Sequence, residues 1–239
     1  MVARVWFGVT ALVVVVGLVV QAVATATTTG EVFPTAGGRL VNLLFFFTIE
    51  SNVIVGVTSL LLTLNPRRTS TLFRVLRLDG IVAITVTFVV FHVALADLQE
   101  LSGSAAVANV LLHTASPVLC VLGWLLFGPR RRGGSRLVVL ALIFPLCYIA
   151  LTLIRGPIVD FYPYPFLDVR IHGYLRVLVN SVIVGVLFLC LATGVTALDN
   201  WLVRRRTGNS PDIGESSVVD GPVLTNVVTP RKQPGQSST

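Results

Sequence analysis

Two residues of this chain, Thr48 and His113, have the types and positions of a nucleophile and its base. A threonine hydroxyl attacks a carbonyl once a neighbouring base takes its proton, and a neutral imidazole serves as that base near neutral pH. Both lie within long apolar runs, where every strongly polar side chain needs a partner or water. The same runs hold Glu50, Ser51 and Asn52 after Thr48, and Asn109, Thr114 and Ser116 around His113. His92, Arg155, Arg176 and Asn180 complete the set of candidate polar groups. Asn52, four residues after Thr48, shares its helical face and can orient a substrate or bond an oxyanion. Glu50 lies roughly 200° around that helix from Thr48, so the two do not converge on one point. There is no Gly-x-Ser-x-Gly elbow, which disfavours a Ser-His-Asp arrangement. His92 and His113 are the one pair able to ligate a b-type haem, although haem-binding bundles often carry more than one pair, so no cofactor is expected. Cys120, Cys147 and Cys190 have neither CxxC spacing nor a nearby His/Cys cluster. They imply no disulfide or metal site and read as buried packing residues.

Positioning these groups falls to the segments that carry them. With 54% hydrophobic residues, 12% charged ones and a mean hydropathy of +0.85, the chain lies outside the soluble class. A hydrocarbon core of about 30 Å takes roughly 20 apolar residues to cross as a helix. Six segments qualify, at about 5–26, 40–64, 78–98, 105–127, 137–156 and 174–198. The connections set the orientation: Arg67, Arg68, Arg74 and Arg77 follow span two, Arg130, Arg131, Arg132 and Arg136 follow span four, and Arg204, Arg205 and Arg206 follow span six. The positive-inside rule places those segments and both termini in the cytoplasm. The expectation is an all-α, six-span protein of the cell membrane. The net charge of +7 does not point to nucleic acid, because the arginines sit in short clusters between apolar runs and not over one face of a domain. Arg4, the apolar stretch after it and the small residues of 21–26 also fit a cleaved signal peptide, but the stretch exceeds the usual signal core and is read as a span. Residues 1–203 thus form the membrane domain, and 204–239, rich in Pro, Gly, Ser, Thr and Asn, are expected to be a disordered cytoplasmic tail.

Spans two and four enter from the same side, and Thr48 and His113 each lie about eight residues in, roughly 12 Å deep. His92 lies roughly 9 Å below the same surface. Arg155, Arg176 and Asn180 belong to that outer half, while the inner halves are almost purely aliphatic. Polar groups sharing one depth predict a pocket in the outer half, roofed by the aromatic connection Phe161–Asp168. Ordinary structural uses compete with this reading: Thr and Ser bond their own helix carbonyls, Asn and His tie helices together, and arginines reach for headgroups.

Three stretches, Phe45-Phe-Phe-Thr-Ile-Glu-Ser-Asn52, Leu112-His-Thr-Ala-Ser-Pro117 and Tyr162-Pro-Tyr-Pro-Phe-Leu-Asp168, resemble the androgen-induced-gene and androgen-dependent tissue-factor-pathway-inhibitor-regulating protein family. Its bacterial branch is the Pr6Pr membrane proteins. The likeness extends over all six spans, roughly residues 5–200. Animal members are threonine hydrolases of fatty acid esters of hydroxy fatty acids, with a Thr in the second span and a His in the fourth. The resemblance therefore implies roles for Thr48, in Phe47-Thr-Ile-Glu50, and for His113, in His113-Thr114 followed by Pro117. The family's aromatic stretch before the last span corresponds to Tyr164–Leu167. This chain departs from the animal pattern at Asn109, where another His stands, and at Ser51-Asn52.

The functional expectation is an intramembrane hydrolase of lipid-like esters, a threonine hydrolase, in which Thr48 attacks and His113 moves the proton. Asn52, His92, Asn109, Arg155, Arg176 and Asn180 are candidates for binding substrate or oxyanion. The alternative is a membrane protein that only binds or transports lipid or a small molecule with the same cluster.

Overall fold

The structure is a computed structural model and describes residues 1–29, 32–96 and 100–208. The described residues form helices joined by short connections, and six helical spans are long and apolar enough to cross a membrane. Helix α1 (Val2–Thr27) is the first span. The short α2 (Ala36–Leu43) leads into α3 (Phe47–Leu64), the second. The third is α4 (Thr71–Val90), which runs on through a π-helical turn at Phe91–Leu95. Helix α5 (Gly103–Val110), a π-helical turn at Leu111–Ala115 and α6 (Ser116–Phe127) make the fourth. The fifth joins α7 (Ser135–Ala141) to α8 (Ile143–Val159), and a 3₁₀ turn at Pro165–Leu167 precedes α9 (Val169–Gly208), the sixth.

The second span is where the structure departs most from the sequence expectation. A single helix is predicted over 40–64, but the chain breaks at Leu44–Phe46 and restarts, so Thr48 lies in the first turn of α3. Phe46 is extended (φ −90°, ψ 127°), and the last turn of α2 tightens through Phe45 N–H to Asn42 O and Phe46 N–H to Leu43 O. A broken helix at membrane depth must find other partners for the backbone groups it frees. The phenol of Tyr148 donates to Phe45 O at 3.3 Å, and Thr48 N–H donates to the Tyr164 phenol oxygen at 3.1 Å.

Proline accounts for two further irregularities. Pro117 has no N–H, and its ring crowds the carbonyl four residues back, that of His113; the wider π-helical turn at Leu111–Ala115 accommodates it. Pro145 acts likewise on Ala141, where α7 ends. The roof connection packs down because α8 presents Gly156 to it: a Cβ there would lie 2.1 Å from the Tyr162 ring. Gly173 (φ 69°, ψ 160°) turns the chain within α9 through a conformation that other residues rarely adopt.

Helices α1, α3, α4 and α6 meet in a core of Val14, Val55, Ile81, Ile84, Cys120 and Trp124. Leu78, Val82 and Val86 of α4 pack against Ala141 of α7 and Phe188 of α9. Helix α9 leaves most of its apolar surface uncovered, with Leu175, Leu178, Val182 and Val186 all exposed, as a helix facing lipid does. Two of the three cysteines correct the packing expectation: Cys120 is buried, but Cys147 and Cys190 are exposed on the outer helices. Helix α9 also continues through Arg204–Arg206 to Gly208, so the first residues assigned to the tail are helical. The rest of the tail, like the predicted end of span three at Leu98, lies outside the described residues.

Candidate active site

Thr48 and His113 meet. The break before α3 and the π-helical turn within the fourth span bring Thr48 Oγ1 to 3.2 Å from His113 Nε2. The other imidazole nitrogen, Nδ1, lies 3.3 Å from the carbonyl oxygen of Asn109. A carbonyl only accepts, so Nδ1 carries the proton and Nε2 is left to accept from the threonine hydroxyl. The backbone thus orients this imidazole as a carboxylate does in nucleophile–base pairs. Phe91, on the π-helical turn that ends span three, stacks on the His113 ring with centroids 4.2 Å apart.

A third residue completes the arrangement. The Tyr164 hydroxyl lies 3.2 Å from Thr48 Oγ1 and accepts from Thr48 N–H. The donors follow one sense: Tyr164 O–H to Thr48 Oγ1, Thr48 O–H to His113 Nε2, and His113 Nδ1–H to Asn109 O. Burial pushes the Tyr164 phenol above its ordinary value, so it stays protonated as a donor. Sequence reasoning placed Tyr164 only in the roof; its spacing to Thr48 spans 116 residues and leaves no local signal.

Asn52 is drawn to the pair but not into open space. Ser116 N–H bonds Leu111 O across the π-helical turn, and Pro117 has no N–H to give. The Leu112 carbonyl between them is bonded instead by Asn52 Nδ2 at 3.1 Å and by Ser116 Oγ at 3.4 Å. Asn52 Nδ2 also donates to Thr48 O, and its Oδ1 accepts from Ser116 Oγ. Fully buried, Asn52 braces α3 against the fourth span beneath the Thr48–His113 pair.

The remaining candidates divide. Asn109 lines the cavity above His113. Arg155 donates to Asn42 Oδ1 at 2.8 Å and lies over the Phe45 ring at 4.0 Å, where it buttresses the break. Asn180 donates to Phe166 O at 2.8 Å and so holds the roof. His92 is exposed, with Nε2 3.4 Å from Thr114 Oγ1 and Nδ1 on its own helix carbonyl at Phe88. Arg176 is exposed on α9 and lines neither of the cavities described next. Arg39, which sequence reasoning passed over, spends its guanidinium on the carbonyls of Thr25, Ala26, Phe33 and Pro34, tying the end of α1 to α2.

Two cavities meet at this point. One, of about 680 Å³, opens between the end of α1, α2, α5 and the roof and presents Gln21, Thr25, Asn42 and Asn109. The other, of about 430 Å³, runs between α4, α8 and α9 and is almost wholly apolar, with Val90, Leu146, Ile149, Leu178 and Phe188 in its wall. Thr48, His113, Tyr164, Phe91 and Leu95 belong to both walls. Such a site can hold a molecule with a polar and an apolar part and present the junction between them to the threonine hydroxyl. Among the described residues, no three His, Cys, Asp or Glu side chains are grouped to hold a metal ion. Compared with protein-family models, with curated proteins and with solved structures, the chain matches none of them.

Proposed function

We propose that the chain is an intramembrane hydrolase of lipid-like esters, with Thr48 as nucleophile and His113 as general base and then general acid. The observation that carries this reading is the 3.2 Å contact between Thr48 Oγ1 and His113 Nε2 in the wall shared by a polar and an apolar cavity. The acyl chain lies in the apolar cavity, the polar portion occupies the other, and the ester carbonyl reaches Thr48. His113 Nε2 takes the hydroxyl proton as Oγ1 bonds to the carbonyl carbon. The oxyanion receives the Tyr164 O–H and sits at the N-terminus of α3, where the helix dipole favours negative charge. Collapse breaks the ester C–O bond, and His113 returns the proton to the departing alkoxide. Water, deprotonated by His113, then releases the acid from the acyl-threonine. The resemblance of the Thr48, His113 and Tyr164 stretches to the threonine hydrolase family points to fatty acid esters of hydroxy fatty acids as the substrate class. The arginine-rich end of the bundle faces the cytoplasm and the site opens on the other side of the cell membrane.

Purified full-length protein in non-ionic detergent, offered fatty acid esters of hydroxy fatty acids and simpler acyl esters, is expected to release acid and alcohol. A fluorophosphonate probe is expected to label Thr48. If no ester in the panel is consumed, while a lipid is retained through purification, the binding or transport alternative replaces the hydrolase.

A further inference from the structure

We infer that the arginine-rich end of the bundle holds a second site, separate from the Thr48 cavity, that binds a phosphate group. It rests on Arg77. This residue belongs to the first turns of α4, is only 6% exposed, and has no hydrogen-bond partner for Nε or Nη2. Its surroundings are a poor substitute for an anion: Nη1 reaches Cys120 Sγ at 3.8 Å, and the Phe7 ring lies 5.4 Å away. A buried cation with unused donors is costly unless an anion completes it.

Arg77 lines a cavity of about 50 Å³. That exceeds the roughly 10–15 Å³ a single water requires and suits one small oxyanion with a water or two. Four arginines, Arg68, Arg74, Arg77 and Arg131, line it against one acidic residue, Asp199. Asp199 is already engaged: Trp124 Nε1–H donates to it at 3.0 Å and Arg130 Nε lies 3.9 Å away. Its charge also attracts Arg77, but the two form no salt bridge. Arg74 gives one N–H to Arg132 O at 2.7 Å. Arg68 and Arg131 are exposed at the rim.

The geometry selects phosphate over a carboxylate. Arginines line the cavity from a buried position on α4 and from two separate connections, which suits a tetrahedral group with several oxygens, and the guanidinium fork matches phosphate edges. The phosphate belongs either to a phospholipid headgroup, since the cavity lies at the ends of the spans, or to free phosphate. The site stands whether or not Thr48 is a nucleophile.

The test uses delipidated full-length protein in non-ionic detergent. Inorganic phosphate is titrated by calorimetry. In parallel, native mass spectrometry follows retention of phosphatidylglycerol against diacylglycerol with the same chains, which lacks only the phosphate headgroup. Binding of inorganic phosphate identifies a free anion, and retention of phosphatidylglycerol alone identifies a lipid; either supports the site. In both cases Arg77→Gln is expected to weaken binding about tenfold or more. Arg68→Gln combined with Arg131→Gln changes only exposed side chains and is expected to weaken it as well, which keeps the inference testable if Arg77→Gln does not fold. It is overturned if neither phosphate nor phosphatidylglycerol binds, if diacylglycerol binds equally, or if a folded variant binds as the parent does.

Discussion

At the Thr48 end of the bundle the backbone breaks where polar side chains gather, and among its described buried side-chain atoms the Tyr162 hydroxyl alone lacks a partner; at the arginine-rich end several buried polar atoms lack one. The break before α3 and the π-helical turn in the fourth span free backbone groups, and side chains then use them. The Asn109 carbonyl fixes His113, the Leu112 carbonyl takes Asn52, the Phe45 carbonyl takes Tyr148, and Thr48 N–H takes Tyr164. At the other end, Ser59 Oγ, Asp79 Oδ1 and two nitrogens of Arg77 are buried without a hydrogen-bond partner. Irregular backbone therefore orders the Thr48 cluster from within, because freed groups orient side chains. Unmatched polar atoms on regular helices mark a place that something else completes.

The largest effect that separates the two ends is on hydrolysis. Thr48→Ala and His113→Ala are each expected to lower ester turnover by about 10³-fold or more, with the protein still inserted and folded. The double variant is expected to be scarcely slower than either single one, because residues acting as a unit lose most of their effect with the first deletion. Thr48→Ser, which keeps the hydroxyl, is expected to retain part of the rate. Steady-state kinetics on the four proteins decides this, and a folded Thr48→Ala protein with full activity removes Thr48 from the mechanism.

The common depth of Thr48 and His113 was legible, because polar residues in apolar runs are few and helical rise converts their positions into a level, but other polar groups share that depth and it was the resemblance that also singled out the pair. The six spans were legible for the same reason, their apolar lengths being set by the bilayer. The break at Leu44–Phe46 was not, since the run Leu43-Leu-Phe-Phe-Phe47 carries neither Gly nor Pro. It is held by Tyr148, Tyr164 and Arg155 from distant segments. The role of Asn52 was misread for a related cause: its helical face was right, but its partner is a carbonyl freed by a proline five residues further along the fourth span. Arg77 and Asp79 stand at a span end, where charges usually reach water, yet both are buried, which sequence position alone does not reveal.

A smaller loss is expected for Tyr164→Phe, which keeps the ring and removes the donor to Thr48 and the oxyanion. Turnover should fall by about 10²-fold, the scale of one oxyanion donor, with little change in substrate affinity. Because burial raises the phenol, its ionisation should reduce the rate of the parent protein only on the alkaline side of about pH 10. A descending limb near neutrality that vanishes in Tyr164→Phe contradicts this. The apolar cavity is probed by Val90→Phe, which fills its wall beside Phe91. Long-chain esters should lose about 10- to 200-fold in kcat/KM and short-chain esters little. Equal losses for both lengths would place the acyl chain elsewhere.

The smallest effect compares the two ends by one substitution made twice. Ser116 and Ser59 are both fully buried, on the fourth and second spans. Ser116 Oγ donates to Asn52 Oδ1 at 2.5 Å and also meets Leu112 O. Ser59 Oγ has no partner at all. Ser116→Ala therefore strands an asparagine oxygen in a buried interface and is expected to destabilise the fold by about 1–3 kcal/mol. Ser59→Ala removes an unmatched hydroxyl from an equally buried one and is expected to be neutral or slightly stabilising, within about 0.5 kcal/mol. Asn52→Ala should cost at least as much as Ser116→Ala, and the double variant less than their sum, because both lose the same contact. Unfolding midpoints in one detergent measure all four. Equal destabilisation by Ser116→Ala and Ser59→Ala would mean that Ser59 has a partner, a water or a bound ligand, and that the contrast between the two ends is one of occupancy and not of construction.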